Sequence, residues 1–170
     1  MKRFCTSAAI LLAMACASPA AAQQTRDYLT SIEADRIRDA EQPSQRIKLF
    51  LGYAADRLKK FQYELARPSA DKRRAERLNA LLRAYTGCMD DAVDIVQLGV
   101  EKQQDVRAGI KDLQSKTTEY LVVLDQLAAG PEKELYKGAL EDAVGATRDA
   151  RTAADKAAKE IAPPPVRRRQ

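Results

Sequence analysis

Two stretches of the chain concentrate side chains capable of chemistry. In Cys88-Met89-Asp90-Asp91-Ala92-Val93-Asp94, a thiol and three carboxylates fall within seven residues. On a helix, Asp90 and Asp94 share a face one turn apart, and a hard cation can bridge such a pair. One helix presents too few oxygens for a full coordination cage, so the sequence predicts a solvated acidic face and no metal site. Cys88 adjoins the apolar Met89, and the neighbouring aspartates disfavour its thiolate. It reads as a buried, inert thiol, with an intermolecular disulfide as the alternative.

The second stretch is basic. Lys59, Lys60, Arg67, Lys72, Arg73, Arg74 and Arg77 bracket a turn at residues 67–71 and crowd one end of a helical hairpin. Such a cluster attracts polyanions through space. Anionic lipid, lipopolysaccharide, an acidic wall polymer and the acidic half of a second copy all fit this charge. Nucleic acid does not, because the aromatic platforms that grip single strands are missing from the stretch. Arg73, Arg74 and Arg77 fall in the first turns of a helix expected to begin near Ser69, where the helix dipole disfavours cations. Their placement therefore answers to some demand other than helix stability.

The chain has no histidine. That removes a histidine general base, Ser-His-Asp and Cys-His pairs and the Glu-x-x-His ligands of di-iron bundles. No phosphate-cradling glycine loop or zinc-type cysteine pair is present either. The expectation is a protein with no catalysis and no cofactor.

Apolar residues recur at intervals of three and four, so the elements carrying these groups are helices. Thr30-Ser31-Ile32-Glu33 has the form of a capping box and opens a short helix running to about Glu41. Pro43 then restarts or kinks the chain. Ile47, Leu51, Ala54, Leu58, Phe61 and Leu65 line the next helix. From Leu78 to Leu127 an apolar seam continues in alternating steps of four and three, weakening only at Gly99 and Gln103. Two arrangements satisfy it. One helix spanning residues 69–129 gives an elongated coiled coil of about 90 Å that needs a partner chain and so predicts a homodimer. A reversal near 99–103 gives major helices at about 44–67, 70–98, 103–129 and 131–161. These suit a monomeric, all-α antiparallel bundle of about four long helices, the favoured reading. Gly130 and Pro131 mark a hairpin, with Gly130 expected in the left-handed conformation and Pro131 as the first residue of the last helix. That helix presents mostly alanine along its seam.

The ends of the chain speak to location. Met1-Lys2-Arg3, an uncharged apolar run from Ala8 to Ala17, and Ala20-Ala21-Ala22 after Pro19 have the layout of a signal peptide, with cleavage after Ala22. The run is too short to span a membrane, so no transmembrane segment is expected in the mature chain. A lipoprotein anchored at Cys16 is the alternative. Its signal would carry leucine three residues before the cysteine and a small residue two before it, and Ala13 and Met14 stand there. Loss of residues 1–22 leaves Cys88 as the single cysteine, so the mature chain forms no internal disulfide and folds on its core. Residues 23–162 read as one helical domain and the Pro-rich, basic residues 163–170 as a disordered tail. Charge is uneven within the domain: residues 46–83 hold 11 basic and 4 acidic side chains, whereas residues 84–162 hold 10 and 15.

These readings predict a periplasmic or secreted structural or binding protein of a bacterial envelope that contacts anionic surfaces through its basic hairpin end. A periplasmic holdase-type chaperone is the alternative, a helical cradle that keeps unfolded clients apart. Against the chaperone, every apolar seam is committed to self-packing.

Overall fold

The computed structural model describes residues 28–67 and 71–161. They form five α-helices, α1 (Ser31–Asp39), α2 (Pro43–Ala66), α3 (Arg74–Glu101), α4 (Arg107–Ala128) and α5 (Lys137–Glu160), with a single 3-10 turn at Lys133–Leu135 and no strand among the described residues. The expected signal peptide, Cys16 and the tail from residue 163 lie outside them. No described helix is long and apolar enough to cross a membrane.

The reversal between α3 and α4 makes the fold a bundle rather than a rod. Lys102 ends α3, and Gln103 follows with φ of 53°. The Gln103 amide donates to Val100 O at 3.0 Å and the Gln104 amide to Gly99 O at 2.8 Å, the paired bonds of a Schellman closure. Val106 then folds back onto α3, where it is fully buried. The close approach requires Gly99, since a β-carbon there would lie 2.3 Å from Val106 Cγ1. The weak point in the seam is thus the turn, and the left-handed residue is Gln103 rather than a glycine.

Helices α2 to α5 alternate in direction along the chain, but α3 and α4 are not side by side. Each packs between α2 and α5, so α3 and α4 face one another across the core. The Tyr85 and Tyr120 rings meet there edge to face at 5.8 Å. Tyr120 donates to Leu51 O at 2.7 Å, tying α4 to α2. Thr147 donates its single proton to Ala143 O, so Tyr85 is the donor in its 2.6 Å bond to Thr147, tying α3 to α5. These bulky rings fit because α5 offers Ala143, Ala150, Ala154 and Ala157 to the core. Nearer the hairpin end, Phe61 and Tyr136 pack edge to face at 4.9 Å.

Local signals set most of the helix ends. The Thr30–Glu33 capping box forms, and Pro43 is the first residue of α2. Three expected starts are late, the first being α4, which begins at Arg107 rather than about 103 because residues 103–106 complete the reversal. Helix α3 begins at Arg74, because the Asp71 carboxylate accepts the Arg73 amide at 2.9 Å and closes a turn ahead of it. The expected start at Ser69 lies outside the described residues. Helix α5 begins at Lys137 rather than Pro131, and Gly130 is not left-handed. There the 3-10 turn lowers Tyr136 into the core, where its hydroxyl donates to Leu127 O at 3.1 Å.

Two substitutions test the reversal. Gln103→Gly should raise stability to chemical denaturation by about 1 kcal/mol, by removing the left-handed strain of a residue that has a β-carbon. Gly99→Ala should lower it by about 1–3 kcal/mol through overpacking against Val106. A continuous helix reverses both signs, losing stability on Gln103→Gly and gaining it on Gly99→Ala.

Candidate functional site

The fold treats the seven basic side chains of the hairpin end unequally. Arg74 is buried, donating to Glu132 at 2.9 Å and to Leu65 O at 2.7 Å, and so fastens the start of α3 to the end of α2 and to the turn before α5. Arg77 lies between Glu64 at 2.6 Å and Asp71 at 2.5 Å. Lys60 pairs with Asp56 at 2.8 Å, and Arg67 covers the Tyr63 ring at 5.3 Å from its centroid. Lys59, Lys72 and Arg73 remain exposed, with no acid at ion-pair distance among the described residues. The demand that places Arg74 and Arg77 is therefore structural. The part of the basic end that faces solvent unpaired is narrower than the sequence suggested.

The acidic stretch divides in a similar way. Cys88 is fully buried, and burial pushes its thiol up to about 12, against a smaller opposing pull from Arg57. Asp90 and Asp94 are exposed along α3. Loss of surrounding water, with the charges of Asp94 and Asp149, raises the Asp90 carboxyl above its ordinary range. Among the described residues, no three His, Cys, Asp or Glu side chains are grouped to hold a metal ion. Asp91 points inward and accepts the Tyr28 hydroxyl.

That bond belongs to a polar clasp that the sequence reading missed. Arg57 is buried in α2 and donates to Glu33 at 2.6 Å, to Asp56 at 2.8 Å and to Tyr28 O at 3.0 Å. Burial alone would raise the Glu33 carboxyl. The hydrogen bonds from Arg57 and the Thr30 amide outweigh it and hold the group down to about 2. Tyr28 lies over Gly87, where a β-carbon would fall 2.7 Å from its ring. A signal for the clasp was present, since Arg57 stands three residues after Ala54 and four before Phe61, on the face that must be buried.

The described grooves are shallow and built from ordinary surface side chains. One, of about 550 Å³, lies where the starts of α2 and α4 meet, lined by Pro43, Ser44, Asp105 and Arg107. Another, of about 460 Å³, runs between α4 and α5. Neither gathers a nucleophile with a base to activate it. No protein-family model, curated protein or solved structure matches this chain.

Arg74→Gln should cost about 2 kcal/mol, because it removes the two charge-assisted bonds by which a buried arginine joins three elements, whereas Lys72→Gln and Arg73→Gln should each change stability by under about 0.5 kcal/mol. Denaturant titration of the three variants checks this ordering. Glu33 gives a pH signature. Its depressed carboxyl stabilises the fold above its unfolded value of about 4.5, and that contribution is lost as pH falls toward 2. It is worth on the order of 3 kcal/mol. Between pH 7 and pH 2, Glu33→Gln should show a correspondingly smaller loss of stability than the parent.

Proposed function

We propose that the protein is an exported, non-catalytic component of a bacterial envelope, a structural or binding bundle whose α2–α3 end contacts anionic surfaces. The supporting observation is the division of labour among its cations. The fold uses Arg74 and Arg77 internally, but leaves Lys59, Lys72 and Arg73 exposed on the same hairpin without acid partners among the described residues. Cations that do no work in folding are available to an external polyanion. The signal-like sequence of residues 1–22 supports an address outside the cytoplasm, and the absence of histidine supports a role without acid–base catalysis. A client-holding cradle has less support. The exposed large apolar side chains, Ile32, Tyr63, Leu98, Val122 and Leu135, fall on five different segments.

The test is binding to vesicles of phosphatidylglycerol and phosphatidylcholine, with a soluble acidic wall polymer as the second arm. Changing Lys59, Lys72 and Arg73 together to Gln should leave the melting temperature unchanged and weaken binding at least several-fold at low salt. The difference should shrink as the Debye length falls from about 30 Å at 0.01 M to about 8 Å at 0.15 M. Equal binding by parent and variant at low salt would remove the anionic-surface reading. Loss on the polymer arm alone would assign the surface to the wall rather than the membrane.

A further inference from the structure

The amino-terminal helix is attached to the bundle differently from the other four. Helix α1 buries a single side chain, Ile37, and touches mainly α2. An open groove of about 750 Å³ separates it from α2, lined by Arg36 and Ala40 on one side and Leu49, Gly52 and Tyr53 on the other. Besides Ile37 and the partly buried Tyr28 and Leu29, what holds the segment is polar and sits at its beginning. Glu33 bonds to Arg57, the Tyr28 carbonyl accepts from Arg57, and the Tyr28 hydroxyl donates to Asp91 on α3. The Tyr28 ring rests on Gly87, the immediate neighbour of Cys88. Cys88 and Asp91 share a face of α3 one turn apart, so the Tyr28 side chain, reaching from Gly87 to Asp91, spans the position of the buried thiol.

We propose that residues 28–39 form a detachable strap, latched by Arg57 and Asp91, that opens as a unit while α2 to α5 stay folded and thereby uncovers Cys88. Three features favour separate opening. The strap fully buries only Ile37, with Tyr28 and Leu29 partly buried against the core, its helix touches mainly α2, and its anchoring bonds can all be replaced by water once it lifts. The four-helix core keeps its aromatic layers in the open form, because no strap residue contributes to them. Opening converts a thiol that is inert in the closed form into one that reagents can reach.

Native-state labelling of Cys88 in the full chain tests this, using 4,4′-dithiodipyridine and following the Cys88 peptide by mass spectrometry across a denaturant series. The strap predicts a labelling rate nearly independent of denaturant at low concentrations, merging with the steep slope of global unfolding only near the transition. Tyr28→Ala and Glu33→Gln should raise the low-denaturant rate at least tenfold with helix content at α2 to α5 retained. Ala150→Gly, which weakens α5 far from the strap, should leave that rate unchanged while shifting the global transition. Labelling that follows the global slope throughout would overturn the proposal. So would acceleration by Ala150→Gly as large as that by Glu33→Gln.

Discussion

The reversal at Gln103 is the constraint from which the other long-range contacts follow. Along a continuous helix, Tyr85 and Tyr120 would be separated by about 50 Å. With Gln103 left-handed and Val106 seated on Gly99, their rings instead meet at 5.8 Å across the core. The same turn brings the start of α4 beside the start of α2, where Ser44 donates to Asp105 O at 3.2 Å. A residue with a β-carbon resists the left-handed region, so the turn is held by its two amide bonds and by burial of Val106 rather than by local preference.

Once the chain has turned, side-chain size decides the packing. Helix α5 contributes alanine to the core, and the tyrosines of α3 and α4 fill the space this leaves. Their hydroxyls find partners on α5 and α2, so bulk is added without stranding a buried polar group. Two arginines close the structure at different places by a similar device. Arg74 joins three elements at the hairpin end, and Arg57 gathers the amino-terminal segment onto α2. Each is a cation already committed to the fold. The charge available for an outside partner is what they leave.

Helical periodicity made the four long helices legible, because the seam at steps of three and four identifies a buried face. The direction of travel was less legible. The seam keeps its phase through Gln103, since a bundle and a rod both bury that face. Capping chemistry was readable at Thr30 and Pro43, where residues within one turn of each other define the helix start. It misled at Pro131, where Tyr136 reaching the core overrode a proline suited to starting a helix. Among the basic residues, composition located the cluster but did not separate Arg74 from Lys72. That distinction depends on Glu132, far away in sequence and brought close only by folding, and on the Leu65 carbonyl across the turn. The Arg57 clasp was half-legible for the same reason: the place of Arg57 on the buried face could be read, but its partners Tyr28 and Glu33 lie on a separate segment.

The bundle exists only if α3 and α4 run back past one another, and a distance between their far ends measures that directly. Spin labels at the exposed positions 80 and 126, compared by double electron–electron resonance, would lie about 70 Å apart along a continuous helix. In the bundle both positions stand near the hairpin end, on helices facing each other across a core whose neighbouring axes are about 10 Å apart. The expected result is a single distance below about 30 Å, from helix spacing plus the label arms. A distribution centred near 70 Å would contradict the reversal and, with it, the bundle.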